Sequence, residues 1–282
     1  MDPTGFALVT GGASGISKAV CLTFASIGAG GVLVADINFE AAKATAAECK
    51  KVAKNPNFRA EAIHLDVVQE ESVQAAVDKT VELFGRIDYC VNGAGVIGEA
   101  CDIADCHLDT FKRTMDINTQ GSFLMTRTTS KTMSLQDPIP VDEAYPARGV
   151  TRGAIVNIGS IASYISLPKS AQYVTSKHAV LGLSRASALD NVPHNIRVNC
   201  VCPSWVDTPL VDDVVSQFPP LQQFILSQMP MGRMGLPQEI ADVVVFLCSP
   251  RASWINGANI VVDGAMTVGV YTPSPPTRAE GS

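Results

Sequence analysis

The sequence predicts an α/β chain: a doubly wound sheet of about seven parallel strands, with helices on both faces, in a single domain over residues 1–270. Three observations carry that expectation. Short apolar runs alternate with longer stretches of helical period. The runs are nearly unbroken in Val, Ile, Leu and Ala, as in strands covered on both faces. They are bounded by Gly, Asn and Asp, and strands that alternate with helices imply right-handed crossovers.

The strands expected in order are Phe6–Thr10, Gly31–Asp36, Ala60–Asp66, Ile87–Asn92, Ala154–Gly159, Ile196–Val201 and Asn259–Val262. Between them the helical period marks Ile16–Ile27, Phe39–Ala53, Glu70–Phe84, Leu108–Thr132, Ala171–Leu189 and Gln238–Cys248. Two segments interrupt the alternation. Ser134–Arg152 is rich in Pro, Asp and Arg and reads as a surface excursion. Thr208–Gly235 carries apolar residues with four prolines and reads as a substrate lid, residues 208–235. Tyr271–Ser282, with three prolines and no hydrophobic period, reads as a flexible tail.

Composition narrows the function. Of 282 residues 46 % are apolar and 17 % charged, which excludes a disordered chain. With 21 basic against 27 acidic residues the net charge is −6, which argues against nucleic acid or an anionic membrane as partner. Backbone amides can still hold a cofactor phosphate locally. Met1–Thr10 has no basic, apolar leader pattern, and the best apolar run, Val243–Cys248, is far short of the roughly 18 residues of a membrane helix. The expectation is a cytoplasmic protein without a membrane partner. Eight cysteines, most among apolar neighbours, then read as reduced core residues. Cys101, Cys106 and His107 lack a second Cys or His pair at finger spacing, so no metal is expected.

Thr10-Gly11-Gly12-Ala13-Ser14-Gly15-Ile16 joins the first strand to the first helix. Glycines there let the backbone approach a pyrophosphate, which Gly11, Ser14, Gly15 and Ile16 would meet at the helix N-terminus. Asp36 ends the second strand about twenty residues on, where a carboxylate can accept from both ribose hydroxyls of a dinucleotide. It would repel a 2′-phosphate, and neither the glycine loop nor Ile37-Asn38 offers a cation, so NAD is favoured over NADP. The plainer role for Asp36 is a cap on the following helix. Asp66 is either an acceptor for the adenine amino group or a turn residue.

Taken together, Thr10–Gly15, Asp66-Val67, Asn92-Gly93-Ala94-Gly95, Asp116-Ile117-Asn118, Ser160, Tyr173-x-x-x-Lys177, Arg197-Val198-Asn199 and Pro203 with Thr208 resemble the short-chain dehydrogenase/reductase family from about Gly5 to Gly264. The resemblance implies a Rossmann-like fold, a nicotinamide cofactor and an active-site tetrad, which falls on Asn118, Ser160, Tyr173 and Lys177. It also implies cofactor contacts at Val67, Asn92, Ala94, Gly95, Pro203, Val206 and Thr208, and a homo-oligomer, dimer or tetramer, pairing through Leu108–Thr132 and Ala171–Leu189. Three positions depart from the family pattern: Ser17 replaces the third loop glycine, Gly93 the second Asn, and Ser204 the Gly after Pro203.

Tyr173 and Lys177 are four apart and share one helical face. A free tyrosine titrates near 10 and is a poor base at neutral pH. An adjacent ammonium and an oxidised nicotinamide favour the phenolate, a task of roughly 3–4 kcal/mol. Tyr173 can then exchange a proton with a substrate oxygen while a hydride moves to or from the nicotinamide. Ser160, just past a strand, can hold that oxygen, since a hydroxyl both donates and accepts. Asn118 could anchor a water that relays protons to Lys177, or merely satisfy a turn. His178 points roughly 100° away from Lys177 and reads as structural.

Substrate walls are expected from Val96, Ile161, Ala162, Trp205, Leu210 and the lid, whose only basic residue is Arg233. Such a lining suits a small, mostly apolar alcohol or ketone. The leading expectation is therefore an NAD-dependent oxidoreductase interconverting a secondary alcohol and a ketone. Alternatives are an NADPH-dependent carbonyl or ketoacyl reductase of the same fold, a non-catalytic nucleotide-sensing protein, and a non-redox isomerase or cyclase.

Overall fold

A computed structural model describes residues 2–217 and 220–269. The expected tail, 271–282, and Phe218 of the expected lid lie outside the described residues. The sheet strands are β1 (Phe6–Thr10), β2 (Gly31–Asp36), β3 (Arg59–His64), β4 (Tyr89–Asn92), β5 (Gly153–Ile158), β6 (Ile196–Pro203) and β7 (Asn259–Val262). They form one seven-stranded sheet in the order β3-β2-β1-β4-β5-β6-β7, every neighbouring pair parallel. Chain order reverses between β1 and β4, and a ligand crevice opens at the carboxyl ends of strands flanking such a point.

The apolar runs are continuous because both faces are covered. Ala7, Val9, Val32 and Val34 face the cluster built by α1 (Gly15–Ile27), α2 (Phe39–Val52) and α9 (Pro237–Cys248). Their neighbours Leu8, Leu33 and Ala35 face the cluster of α3 (Glu70–Phe84), α5 (Gly121–Ser134) and α6 (Ala171–Asp190). The strand period of two thus feeds two cores from one run. Phe24 stacks on Tyr89 at 5.4 Å between centroids, closing the first core.

Two expectations are corrected. The helix expected over Leu108–Thr132 is α4 (Leu108–Met115), a π-helical turn at Asp116–Gln120, then α5. Gly121 brings the break against the sheet side: a Cβ there would lie 2.7 Å from a Val67 methyl. The lid expected over 208–235, for which the sequence marked no helix, contains two, α7 (Pro209–Gln217) and α8 (Pro220–Gln228). Each starts on a proline, which the first helical position tolerates because its N–H is unpaired anyway. Val211, Ile225 and Met229 give the lid its own small core, against which Trp205 and Met234 pack.

The lid has a closed neck. Gly235 N–H donates to Trp205 O and Asp207 N–H to Gly235 O, both at 2.9 Å. The excursion at 134–152 is on the surface as expected, carrying a two-residue hairpin of Ile139–Pro140 with Val150–Thr151.

Candidate active site

The glycine loop leaves β1 and turns sharply into α1. Gly11 sits at φ +69°, and a Cβ on it would be 2.9 Å from Ala94 N, so the turns after β1 and β4 touch. Gly15, at φ +53°, lies under Thr208, whose methyl would be 3.3 Å from a Cβ there. At Gly11 and Gly15 the loop is too close to its neighbours to carry a side chain. Ser14, the N-cap of α1, makes no side-chain cap, which leaves the first-turn amides for an anion.

Asp36 closes the cradle on the β2 side. Its Oδ2 accepts from Ala13 N–H at 3.0 Å and its Oδ1 from Asn38 N–H at 2.8 Å. The helix cap considered for Asp36 belongs to Asn38, which accepts from Ala41 N–H at 3.1 Å. Lys18 is turned to Glu48 at 2.8 Å, away from the loop. Asp66 folds on its own turn, its Oδ1 accepting from Val68 N–H at 3.2 Å.

On the other side of β4 stand the residues expected to react. Asn118, 1 % exposed, sits in the π-helical turn and clamps a backbone. Its Oδ1 accepts from Val96 N–H, and its Nδ2 donates to Val96 O and to Ser176 Oγ, each at 2.9 Å. Lys177 Nζ donates to Ile158 O at 2.9 Å and lies 5.7 Å from the centre of the Tyr173 ring. A Cβ on Gly95 would meet Asn118 Oδ1 at 3.1 Å and Lys177 Nζ at 3.8 Å, so these groups surround one small volume.

Ser160 follows the strand that ends in Ile158 and caps a short 3-10 turn, its Oγ accepting from Ala162 N–H at 3.1 Å. Ser163 Oγ donates to Lys177 O at 2.7 Å, tying that turn to α6. Beneath lies a thiol pair: Cys200 and Cys202 are 3.7 Å apart, and a Cβ on Gly159 would be 2.8 Å from each sulfur. Cys200 donates to Cys202 and holds its thiol below the ordinary range, aided by the Ser160 backbone, Ser163 and the Lys177 charge.

A model of the enoyl-(acyl carrier protein) reductase family matches residues 11–267. The short-chain dehydrogenase srdC of Neurospora crassa is 48 % identical over 272 residues, 96 % of this chain and 100 % of its own. The chain belongs to the short-chain dehydrogenase/reductase family. Cyclohexanol dehydrogenase of Acinetobacter sp. is 36 % identical over 93 % of this chain and 94 % of its own. Levodione reductase, a solved structure, matches with a TM-score of 0.85 at 29 % identity, covering 96 % of this chain and 100 % of that one.

Members of the family are oxidoreductases that use nicotinamide cofactors. The residues fit such a group: a glycine cradle that a Cβ would fill, uncapped helix amides and a carboxylate at the end of β2. In this short-chain dehydrogenase/reductase the cradle brings together Gly11, Ser14, Gly15, Ile16, Asp36, Ala94, Gly95 and Thr208. Asn92 stands apart. Its side chain turns inward to Asn157 Oδ1 at 2.8 Å and Thr126 Oγ1 at 3.2 Å, because buried amides on adjacent strands must satisfy each other. Val67 is likewise packed, at Gly121, and Pro203 and Val206 are buried beside the lid's neck.

The expected substrate walls divide. Val96 is held at the mouth by Asn118, Trp205 leans on the lid core, and Leu210 is 43 % exposed on α7. Ile161 and Ala162 are 3 % and 0 % exposed, so neither presents an open wall. His178 is on the outer surface, its Nδ1 on Val174 O at 2.9 Å. Ser176 was not singled out in the sequence. It links Asn118 to the Tyr173 carbonyl, which accepts from its hydroxyl at 2.8 Å, and no motif spacing announces it.

Proposed function

We propose that this chain interconverts a secondary alcohol and a ketone on a small, mostly apolar ring compound, using NAD(H). The observation that carries the reading is the Lys177 ammonium, fixed on Ile158 O beside Tyr173, at the strand end that leads to Ser160. When bound, the nicotinamide coenzyme gives or takes the hydride. Tyr173 moves the proton at the substrate oxygen, favoured as phenolate by the neighbouring ammonium. Ser160 holds the same oxygen, and Lys177 would also reach the nicotinamide ribose. Gly11, Ser14, Gly15 and Ile16 would receive the pyrophosphate, with Val67, Ala94, Gly95, Pro203, Val206 and Thr208 in the surrounding shell.

Asp36 and the Lys18–Glu48 pair support NAD. A carboxylate stands where a 2′-phosphate would go, and Lys18 in the first turns of α1 is already engaged by Glu48. A ring substrate is supported by the names of two relatives, cyclohexanol dehydrogenase and levodione reductase. The lid adds apolar residues, while its one cation, Arg233, is tied to Glu239 by two bonds of 2.8 and 2.7 Å. That pairing leaves no cation for a carrier-bound acid. The reading extends to a cytoplasmic homo-oligomer of one-domain subunits, pairing on α5 and α6, where Phe123 and Leu189 are exposed.

The test is turnover of cyclic alcohols and ketones with each coenzyme, followed at the reduced-nicotinamide absorbance. NAD is expected to outperform NADP, and Tyr173→Phe to lose about 10²–10⁴-fold in kcat. A strong NADP preference overturns the role given to Asp36. Full activity in Tyr173→Phe overturns the proton transfer.

A further inference from the structure

Ser17 lies in the first turn of α1 and is 4 % exposed. Its hydroxyl has no hydrogen-bond partner among the described residues. Across from it is Gly93. A Cβ on Gly93 would fall 2.0 Å from Ser17 Oγ and 3.2 Å from Thr10 O. The glycine cannot retreat, because its N–H and that of Ala94 are both held by Thr10 Oγ1, at 3.1 and 3.2 Å. The hydroxyl therefore occupies the volume in which any side chain at position 93 would begin.

The two departures from the family pattern at Ser17 and Gly93 are thus one arrangement in space. A hydroxyl has been admitted to the floor of the cradle, and the residue opposite has given up its side chain. Although the residue is mostly buried, its oxygen is not sealed among the atoms of the chain, so it stays open to a partner from outside. The partner missing inside the chain is an acceptor, and the cradle around Gly11, Gly15 and Gly93 is where a dinucleotide would present phosphate and sugar oxygens.

We propose that Ser17 is a coenzyme-binding residue whose hydroxyl, given room by Gly93, donates to an oxygen of the bound dinucleotide. The inference rests on the coenzyme reading above. A second geometric fact makes it testable: the Cβ of Ser17 would be 3.4 Å from a Cβ on Gly93, an ordinary contact. The Oγ is the severe clash, and the Thr10 carbonyl at 3.2 Å adds a lesser one.

The experiment is a double-mutant cycle of Ser17→Ala and Gly93→Ala, reading the Kd of NADH by calorimetry and Tm in parallel. Ser17→Ala is expected to weaken NADH about fivefold to tenfold, as for one hydrogen bond, with little change in Tm. Gly93→Ala is expected to weaken NADH at least as much in the natural background, because it displaces the hydroxyl. It should cost much less once residue 17 is Ala, where only the 3.2 Å approach to Thr10 O remains. Unaltered binding by Ser17→Ala, or additive losses in the double variant, overturns the inference alone. Failure of the natural chain to bind either coenzyme brings down the coenzyme reading, and this inference with it.

Discussion

Replacing Asn118 by Ala removes the clamp between the turn after β4 and helix α6. Three hydrogen bonds of 2.9 Å disappear, from Val96 N–H, to Val96 O and to Ser176 Oγ. At about 1 kcal/mol each the loss is roughly 3 kcal/mol, and the stranded Val96 peptide groups add to it. For a chain of this length 1 kcal/mol moves Tm by roughly 2–4 °C, so a fall of about 6–12 °C is expected in a calorimetric scan. Ser176→Ala breaks the last of these links and the bond from Ser176 Oγ to Tyr173 O, and should lose about two thirds as much. Activity should fall in Asn118→Ala through misplacement of Val96 and Tyr173, with KM for the substrate rising alongside any loss of kcat. A Tm within about 2 °C of the natural chain would refute the clamp. Activity lost at unchanged Tm would return Asn118 to a direct part in the reaction.

Other expectations rest on equally local geometry. Gly31→Ala would place a Cβ 2.7 Å from Arg59 O, backbone that cannot swing aside, so β2 and β3 must part; a loss of about 1–3 kcal/mol or more is expected by chemical denaturation. Six of the eight cysteines are buried, and burial pushes the thiols of Cys49, Cys90 and Cys248 up to about 12, so a disulfide reagent at pH 8 should react quickly with at most Cys101 and Cys106. More than two fast equivalents would contradict the packing. The Arg233 guanidinium, with help from Leu236 N–H, holds the Glu239 carboxyl down to about 2 from its ordinary 4.5. Because the folded value is the lower one, the pair's contribution is present above about pH 4.5 and fades as pH falls toward about 2. Pepsin should therefore cleave the lid of Glu239→Gln faster than that of the natural chain at pH 5, and the two should converge near pH 2.

The sheet and the helix that carries Tyr173 and Lys177 were legible because their signals are local. Continuous apolar runs specify buried parallel strands, and Tyr173 and Lys177 share a face through spacing alone. The break at Asp116–Gln120 was not legible, since the helical period of the apolar residues runs through it without interruption. Prolines hid the lid helices: Pro209 and Pro220 read as interruptions, although each begins a helix. The orientation of Asn92 was equally out of reach. Whether a strand amide faces a ligand or a neighbouring strand is decided by what stands opposite, here Asn157.

Asp36 has a further consequence for anyone wishing to retune this chain. The carboxylate that would read the ribose is also the acceptor that fixes Ala13 and Asn38. Recognition and scaffolding are vested in one side chain. Exchanging it to admit a phosphorylated coenzyme would slacken the very loop that must grip the new molecule, so a useful conversion has to rebuild the support for Ala13 in the same step.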